Sequence, residues 1–357
     1  MHLTTPHSEL STTEVDEITF QSASTMLDAS VIICTHNPRA DYFARVLEAL
    51  RAQTLPLDKW ELLIVDNASQ IPLAPRYDIS WHAAGRHISE LELGLAAARR
   101  CGIEAAASDL IVFVDDDNLL NKKYLAEAVT IKKEYPFLGV WGSGSVRGEF
   151  EVDPAEEIRS WLPVRVEKGS RWSNLAGTTL FGFSHDDAIP FGCGMCVRKD
   201  VALAYRKFCE RGDIQITDRK GGALSGCGDT EICFVCCAEG LGVGVFPLLE
   251  LTHLIPQRRV SEDYIVRFAE ATGLSNMLLL YKWRGVVPQS PFGARTLLAL
   301  AKTMLQHRGS ERKRRLAWVR ALAEAHRIIK MDLRKNNDRI YDMTASVPSK
   351  SGDTEIS

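Results

Sequence analysis

The stretch LIVFVDDDNLL, residues 110–120, runs five apolar residues directly into three consecutive aspartates. Two carboxylates about 4 Å apart repel each other by roughly 4 kcal/mol at an effective dielectric constant of 20. Solvent can screen that repulsion at a surface turn, or a hard cation can bind two of the carboxylates. The apolar half predicts a strand buried on both faces, and the neighbouring sequence decides what the aspartates do.

Two further apolar runs, at residues 30–34 and 62–65, and a weaker run near 86–89 precede this stretch. Helical patterns lie at 41–53, between the first two runs, and at 94–107, before the run at 110–114. Strands that alternate with helices in this way predict an α/β fold with a parallel sheet and right-handed crossovers.

Polar residues stand at the carboxyl ends of three of these runs. The first run is followed by Thr35, His36 and Asn37, the second by Asp66 and Asn67, and the last by the aspartate triplet. Ligands of open α/β sheets bind beyond the carboxyl ends of the strands. Three strands that end in this way favour a binding site over an ordinary solvated turn.

The overall composition gives no bias towards nucleic acid, so any electrostatic partner must be sought locally. The 357 residues carry a net charge of −3 and are 45% hydrophobic, which gives no general attraction to polyanions. The N-terminus lacks a basic start followed by an apolar run, and no apolar stretch reaches the roughly 18 residues that span a bilayer. We therefore expect a cytoplasmic protein, either soluble or peripheral at the inner face of the membrane.

Nine cysteines are present, and four of them form two CxxC pairs, Cys193/Cys196 and Cys233/Cys236. Pairs of this kind can bind structural zinc. The separation between the pairs is wider than in a zinc ribbon, so we favour the alternative that these cysteines are small buried hydrophobic residues.

Six segments occur in an order and spacing that resemble the family 2 glycosyltransferases. They are SVIICTHN, ELLIVDNAS, GLAAARRCGI, DLIVFVDDDN, PFGCGMCVRKD and GCGDTEI, within residues 30–256. The resemblance implies the GT-A fold, in which a Rossmann-like nucleotide-binding sheet carries an acceptor-side extension. It also implies an inverting transfer of a sugar from a nucleoside diphosphate sugar, usually a UDP-sugar, to a hydroxyl acceptor in polysaccharide, glycolipid or glycoconjugate synthesis.

The same resemblance divides the chain into parts. Residues 28–120 are expected to form the nucleotide-sugar-binding half, and residues 121–256 the acceptor-binding and catalytic half. The pattern beyond Pro256 predicts a C-terminal helical region over 257–343, and the polar ends at 1–27 and 344–357 are expected to be flexible tails.

Several positions match family residues that contact the donor. Asp66 matches the carboxylate that accepts a hydrogen bond from the base, and Arg99 matches a residue that approaches the nucleotide or its phosphates. For Arg99, or its neighbour Arg100, a solvated helix face is the alternative. The residues expected at the nucleotide sugar are Thr35, Asn37, Asp66, Arg99, Asp115 and Arg258.

The aspartate triplet matches the family's Asp-x-Asp motif. The match implies that Asp115 lies near the ribose and that Asp117 holds Mg²⁺ or Mn²⁺ bridging the diphosphate. Asp116 is then expected to point outward. His253, in LTHLIPQRR, falls where many GT-A enzymes supply a late metal or phosphate ligand, although a lone histidine is more often structural. The expected metal ligands are therefore Asp117, Asp115 and His253.

Asp229 in GCGDTEI matches the general base of inverting members, which takes a proton from the acceptor hydroxyl. The sequence departs from the usual pattern here, because Gly228 stands where many relatives carry Glu. Glu231 is therefore a rival base. If a helix begins at this point, Asp229 or Thr230 is alternatively its N-cap.

The run PFGCGMCVRKD resembles the family's acceptor-side loop, in which closely spaced glycines let the backbone approach a sugar. Gly192, Gly194, Met195 and Trp141 are the expected acceptor-binding residues. A buried core position is an equal alternative for Trp141, and Trp161 is a further residue that can stack on a sugar.

The C-terminal helical region is basic, with eleven Lys or Arg against three acidic residues from Lys302 to Lys335. An amphipathic helix of this composition can lie on an anionic membrane surface, which would suit a lipid-linked acceptor. A helix that packs on the catalytic domain with a solvated basic face is the alternative.

Two other functional classes stay open. A catalytically degenerate protein that binds a sugar nucleotide without turnover is supported by Gly228 alone. A nucleotidyltransferase shares the sheet and the acidic metal site, but CTHNPRADYF lacks the glycine-rich, basic loop that such enzymes place after the first strand.

Overall fold

The computed structural model describes residues 26–173, 188–210, 224, 226–288 and 293–335, apart from the side chains of 295–297, 299, 334 and 335. The tails expected at 1–27 and 344–357 lie almost wholly outside these ranges and stay predictions, as do the boundaries drawn between the parts of the chain.

A mixed sheet forms the centre of the protein, with the strand order β3-β2-β1-β4-β9-β6-β10-β5; β7 also pairs with β6, and β8 with β10. The strands are β1 Ala29–Thr35, β2 Trp60–Asn67, β3 Gly85–Glu90, β4 Leu110–Val114, β5 Asn118–Leu120, β6 Leu138–Phe150, β7 Arg165–Val166, β8 Arg171–Ser173, β9 Cys196–Arg198 and β10 Gly242–Ile255.

The first four strands are the parallel unit that the apolar runs predicted. β1 pairs in parallel with β2 and β4, and β2 pairs in parallel with β3. In this register Ile33 of β1 lies between Ile64 of β2 and Val114 of β4, so these strands end at one edge. The predicted α/β fold class, with a parallel unit of the Rossmann-like type, is confirmed.

The second half of the sheet departs from parallel pairing at β9. This strand runs antiparallel to both β4 and β6, whereas β10 runs parallel to β6 and antiparallel to β5. β5 follows the aspartate triplet directly and pairs Asn118 with His253 of β10. That pairing brings the end of β10 to the edge where β4 ends.

The helices are α1 Ala40–Arg51, α2 Leu95–Ala105, α3 Tyr124–Glu134, α4 Glu156–Arg159, α5 Lys199–Cys209, α6 Gly228–Ala238, α7 Glu262–Arg284, α8 Ala294–Gln306 and α9 Gly309–Lys335. The predicted C-terminal helices are confirmed. α7 begins where Ser261 Oγ accepts a hydrogen bond from the Tyr264 N–H, and ends at Gly285 in the left-handed region, φ 66°.

Two apolar cores cover the two faces of the sheet. One contains Phe43 and Leu50 of α1, and the other contains residues of α2, α5, α6, α7 and α9. Side chains of β1 alternate between them, because Val31 and Ile33 face the first core and Ile32 faces the second. Gly102 lets α2 approach β1, since a Cβ there would lie 2.6 Å from Ile32 Cγ2.

The CxxC cysteines belong to these cores, and all nine cysteines are free. Cys193 and Cys196 lie in the core under α1, whereas Cys233 and Cys236 lie in the core on the opposite face. A zinc site built from both pairs is therefore excluded, and the buried-hydrophobe alternative is confirmed. Among the residues that the structure describes, no helix combines the length and apolarity needed to cross a membrane.

Candidate functional site

A cavity of about 660 Å³ opens at the sheet edge where β1, β2 and β4 end. The strand ends contribute one part of its lining, and the short helical turn Gln257–Val260 with the first turns of α7 contributes another. The polar residues that line it include Thr35, His36, Asn67, Asp115, Asp116 and Asp117 from the strands and the turns that follow them, and Arg258, Arg259, Ser261, Asp263, Tyr264 and Arg267 from the segment after β10.

The turn after β1 is fixed by the neighbouring strand ends. Thr35 Oγ1 donates a hydrogen bond to the Asp116 carboxylate, and His36 Nδ1 lies 2.8 Å from the carbonyl oxygen of Asn67. Asn37 adopts a left-handed φ of 49° and accepts a hydrogen bond from the Gln70 N–H at 2.9 Å. Thr35 therefore lines the cavity, whereas Asn37 joins the turns after β1 and β2 outside its lining.

Asp66 holds the turn after β2 together. Its Oδ1 accepts the Ser69 N–H at 3.1 Å, and its Oδ2 accepts the Leu73 N–H at 3.0 Å. Asp66 is not among the residues that line the cavity; the next residue, Asn67, takes that place. The Asn67 Oδ1 accepts the Gly94 N–H at 2.8 Å, which fixes the start of α2.

All three aspartates line the cavity, and Asp116 is among them. The Asp116 carboxylate accepts a hydrogen bond from the Thr35 hydroxyl. Asp116 therefore does not point outward, and the expectation from the sequence was wrong. Burial, followed by the charge of Asp117, raises the pKa of Asp116 to about 6. The turn itself is closed by the Asp115 N–H, which donates to Asn118 Oδ1 at 3.3 Å.

Asp117, His253 and Arg259 form a compact cluster at the back of the cavity. Arg259 Nη1 lies 2.9 Å from Asp117 Oδ2 and 3.0 Å from His253 Nε2. His253 Nε2 lies 3.6 Å from Asp117 Oδ1. The carboxylate and imidazole are both more than nine-tenths buried. The sequence predicted a role for Arg258 and none for Arg259, although the two arginines are adjacent in LTHLIPQRR.

The chemistry of this cluster fits a divalent cation. A carboxylate oxygen and an imidazole nitrogen are ligand types for Mn²⁺, and the Arg259 guanidinium already sets positive charge beside both. Metal sites at phosphates often use only one or two protein ligands. Within the ranges described, no group of three or more His, Cys, Asp or Glu side chains is arranged to hold a metal. Asp115 is therefore not combined with Asp117 and His253 as a three-residue ligand set.

Two further arginines line the cavity together with Asp263. Arg258, which the sequence predicts at the nucleotide sugar, is exposed there, and its contact with a phosphate stays a prediction. Arg267 of α7 is the second of these arginines. Arg267 was missed because its helix follows the recognised segments. The sequence feature that could have identified Arg267 is its spacing from Tyr264, because residues three apart in a helix share one face.

Arg99 lies beside the predicted base, away from the cavity lining. The residue is 6% exposed. A Cβ on Gly192 would lie 3.4 Å from Arg99 Nη2 and 3.1 Å from Asp229 Oδ2. The solvated-face alternative is therefore wrong for Arg99. The solvated-face alternative applies instead to Arg100, which pairs with Glu92 at 3.1 Å and is about a quarter exposed.

Asp229 and Glu231 occupy different environments at the start of α6. Asp229 is half-buried, and its Oδ2 accepts the N–H of Gly192, in the glycine-rich segment before β9, at 3.0 Å. Glu231 points into the core, where Lys282 Nζ lies 2.8 Å and Trp283 Nε1 3.3 Å from its Oε1. Asp229 sits in the first turn of α6 after Cys227, the residue at the N-cap position, so neither Asp229 nor Thr230 is the N-cap.

The residues predicted to bind the acceptor divide into loop and core positions. Gly192 contacts Asp229, and Gly194 has a φ of 70° and accepts a hydrogen bond from Tyr124 Oη at 2.7 Å. Met195 and Trp141 are 1% and 0% exposed, which places both in the core and agrees with the core alternative for Trp141. Their acceptor contact stays a prediction. Trp161 is more than a third exposed and stands beside Arg314.

Comparisons with known proteins agree with the sequence motifs. Residues 30–198 match the family model described as Glycosyl transferase family 2. Glycosyltransferase AglE of Haloferax volcanii is 32% identical over 110 residues, 30% of this chain and 36% of that protein. Poly(ribitol-phosphate) beta-N-acetylglucosaminyltransferase TarS of Staphylococcus aureus strain Mu50 is 26% identical over 113 residues, 31% of this chain and 20% of TarS. The chain thus spans about a third of one curated relative and a fifth of the other.

Two solved structures are distantly similar to this chain. The crystal structure of Staphylococcus aureus TarS 1–349 is 14% identical, with a TM-score of 0.45, over 85% of this chain and 91% of that one. Mannosyltransferase PcManGT from Pyrobaculum calidifontis, solved with GDP-Man and Mn²⁺, is 17% identical, with a TM-score of 0.46, over 90% of this chain and 78% of that one.

Proposed function

Residues 30–198 belong to glycosyl transferase family 2, and from this membership we propose that the chain transfers a sugar from a nucleoside diphosphate sugar to a hydroxyl acceptor. One observation carries the proposal. The carboxylates after β4 and three arginines, Arg258, Arg259 and Arg267, line one cavity at the carboxyl edge of the parallel strands. Opposed charges of this kind suit a diphosphate that is held by guanidinium groups on one side and by a cation on the other.

The donor would lie along this cavity with its diphosphate towards Arg258 and Arg267. Guanidinium groups bind phosphate oxygens through paired hydrogen bonds, which orient the group as well as hold it. Thr35 and Asn67 would form the wall on the nucleoside side. Asp117 and His253 would hold the Mg²⁺ or Mn²⁺ ion, which when bound neutralises charge that develops on the departing diphosphate.

Asp229 is the proposed general base of an inverting reaction. Its carboxylate is half-buried and is oriented by the Gly192 N–H at 3.0 Å, whereas the carboxylate of the rival Glu231 is occupied by Lys282 at 2.8 Å. Asp229 would take the acceptor proton as that oxygen attacks the anomeric carbon from the face opposite the diphosphate. A positioned base contributes about 10²- to 10⁴-fold to the rate.

The experiment is isothermal titration with UDP, with and without Mn²⁺, on the wild type, Asp117→Ala and a matched control. Asp109→Ala suits the control, because Asp109 is exposed and precedes the same strand at its opposite end. We expect metal-dependent UDP binding by the wild type and the control, and its loss in Asp117→Ala. Undiminished binding by Asp117→Ala would count against the proposal.

Release of UDP from a panel of UDP-sugars tests turnover itself. The panel should include UDP-N-acetylglucosamine, because the relative TarS is by name an N-acetylglucosaminyltransferase. UDP release that requires an acceptor would support sugar transfer. Binding without release would favour a degenerate sugar-nucleotide-binding protein, and release of pyrophosphate from a nucleoside triphosphate and a sugar phosphate would favour a nucleotidyltransferase.

A peripheral contact with an anionic membrane, for a lipid-linked acceptor, is a further part of the proposal. Its support is the exposed apolar Leu298, Leu305 and Trp318 on the basic helices α8 and α9. Some of the basic side chains form ion pairs within the chain, because Lys313 and Arg320 pair with acidic residues of α7. Absence of pelleting with anionic vesicles at low salt would remove this part of the proposal.

A further inference from the structure

We propose that Arg259 is an exchangeable counter-cation, which occupies the place of the divalent ion beside Asp117 and His253 until metal and nucleotide bind together. This inference rests on the proposed function and concerns the order in which its site is filled. The guanidinium would move from the Asp117 carboxylate to the donor diphosphate as the metal takes its place.

The contacts of Arg259 and those of a metal ion are mutually exclusive. Arg259 Nη1 reaches Asp117 Oδ2 at 2.9 Å and His253 Nε2 at 3.0 Å. Because a guanidinium can only donate hydrogen bonds, His253 Nε2 accepts, and it does so with the lone pair that would bind a metal. The same two atoms, Asp117 Oδ2 and His253 Nε2, would therefore bind either the guanidinium or the metal ion.

The tautomer of His253 follows from this contact. When Nε2 accepts, the proton of a neutral imidazole is on Nδ1, and that atom is buried with no hydrogen-bond partner in the described part of the chain. Burial and the pairing of β10 with β5 hold the imidazole with its Nε2 lone pair on the Arg259 guanidinium, and Nε2 lies 3.6 Å from Asp117 Oδ1. This orientation suits a metal as well as it suits the guanidinium.

The backbone that carries Arg259 is held in place, so the exchange needs only a side-chain movement. The Gln257 N–H donates to Glu151 Oε2 at 2.8 Å, and the Ser261 hydroxyl donates to the Arg258 carbonyl at 2.9 Å. Arg259 also lines the cavity together with Arg258 and Arg267. A guanidinium released from Asp117 would therefore meet a diphosphate bound between the other two arginines.

Cooperative binding follows from this arrangement. Without nucleotide, a metal ion must displace Arg259 from a carboxylate and leave it unpaired. With nucleotide, the displaced guanidinium gains phosphate oxygens, so each ligand raises the affinity for the other by the same factor.

The test compares Mn²⁺ affinity, measured from the electron paramagnetic resonance signal of free Mn²⁺, in the wild type, Arg259→Gln and Arg258→Gln, with and without UDP. Without UDP, Arg259→Gln should bind Mn²⁺ at least about tenfold more tightly than the wild type, because Asp117 has lost its paired cation. Arg258→Gln removes the same charge one residue away, and its Mn²⁺ affinity without UDP should stay within about twofold of the wild type, because Arg258 is exposed and solvent screens its charge.

The effect of UDP supplies the second readout. UDP should raise the Mn²⁺ affinity of the wild type by a larger factor than that of Arg259→Gln. The wild type alone gives an independent measurement, because labelling of Arg259 by phenylglyoxal, located by mass spectrometry, should rise when Mn²⁺ is added without UDP.

Equal or weaker Mn²⁺ binding by folded Arg259→Gln would overturn the inference, as would labelling of Arg259 that does not change with Mn²⁺. Either result leaves the proposed sugar transfer standing if the wild type still releases UDP from a UDP-sugar. Loss of the proposed function would appear separately, as a wild type that binds Mn²⁺ but turns over no donor.

Discussion

Replacing Lys282 by Met should destabilise the protein strongly, although Lys282 lies outside the cavity. Lys282 on α7 pairs with Glu231 on α6, and its ammonium also lies 4.5 Å from the centre of the Phe208 ring. The substitution keeps most of the side-chain volume and removes the charge, so the Glu231 carboxylate stays buried with only the Trp283 indole N–H as a partner in the contacts described.

The magnitude follows from the burial of the pair. The two charged atoms are 2.8 Å apart, and the side chains are 5% and 4% exposed. Their attraction is about 6 kcal/mol at an effective dielectric constant of 20, which offsets the cost of removing both from water. Breaking such a pair by removing one partner costs about 3–5 kcal/mol. At roughly 2 °C per kcal/mol for a large chain, the unfolding midpoint should fall by about 6–10 °C.

The assay is urea and thermal unfolding of the wild type, Lys282→Met, Glu231→Gln and the double variant. The double variant should recover most of the lost stability, because a neutral glutamine beside methionine leaves no buried charge. A free energy of unfolding for Lys282→Met within about 1 kcal/mol of the wild-type value would refute the reasoning, because a broken buried pair should cost more than that. The same variants test the rival base, since Glu231→Gln should retain sugar transfer at temperatures where it is folded.

The other predictions concern single positions. Asp229→Asn should lower sugar transfer by about 10²- to 10⁴-fold without changing the affinity for UDP, and retention of UDP release from the donor would exclude Asp229 as the base. Asp66→Ala should lower the free energy of unfolding by about 1–3 kcal/mol in urea, because two backbone N–H groups lose their acceptor; unchanged stability would contradict that structural role. Gly194→Ala should lower the free energy of unfolding by about 1–2 kcal/mol for its positive φ alone. The loss should be larger because the new Cβ would lie 2.9 Å from Leu251 Cδ2. A melting curve that matches the wild type would contradict this prediction.

The strands that position the site were predictable because they are short, continuous and apolar. The run 110–114 coincides with β4, and the run 30–34 lies within β1. The long strands β6 and β10 were not predicted, because glycines and charged residues interrupt their apolar pattern. The hydrophobic pattern identifies a strand only where the same pattern of burial continues along the whole strand.

The site was predictable to the level of the sheet edge and not to the level of side-chain direction. Consecutive residues in a turn point in directions that depend on its local backbone, so the inward position of Asp116 could not be read from the sequence. The same holds for Arg259, since two adjacent arginines on a helical turn face different surroundings. Met195 lies in a glycine-rich segment, yet burial in the core decides its position.

The wall of the cavity formed by α7 has a practical consequence for shortening the chain. The family match ends at residue 198, but Tyr264 and Arg267 lie on α7, which packs lengthwise along α9. A fragment that stops at the family boundary would lose Asp229 and His253 as well as the whole arginine side of the cleft. Expression trials that seek a minimal active version should therefore place the stop codon after α9.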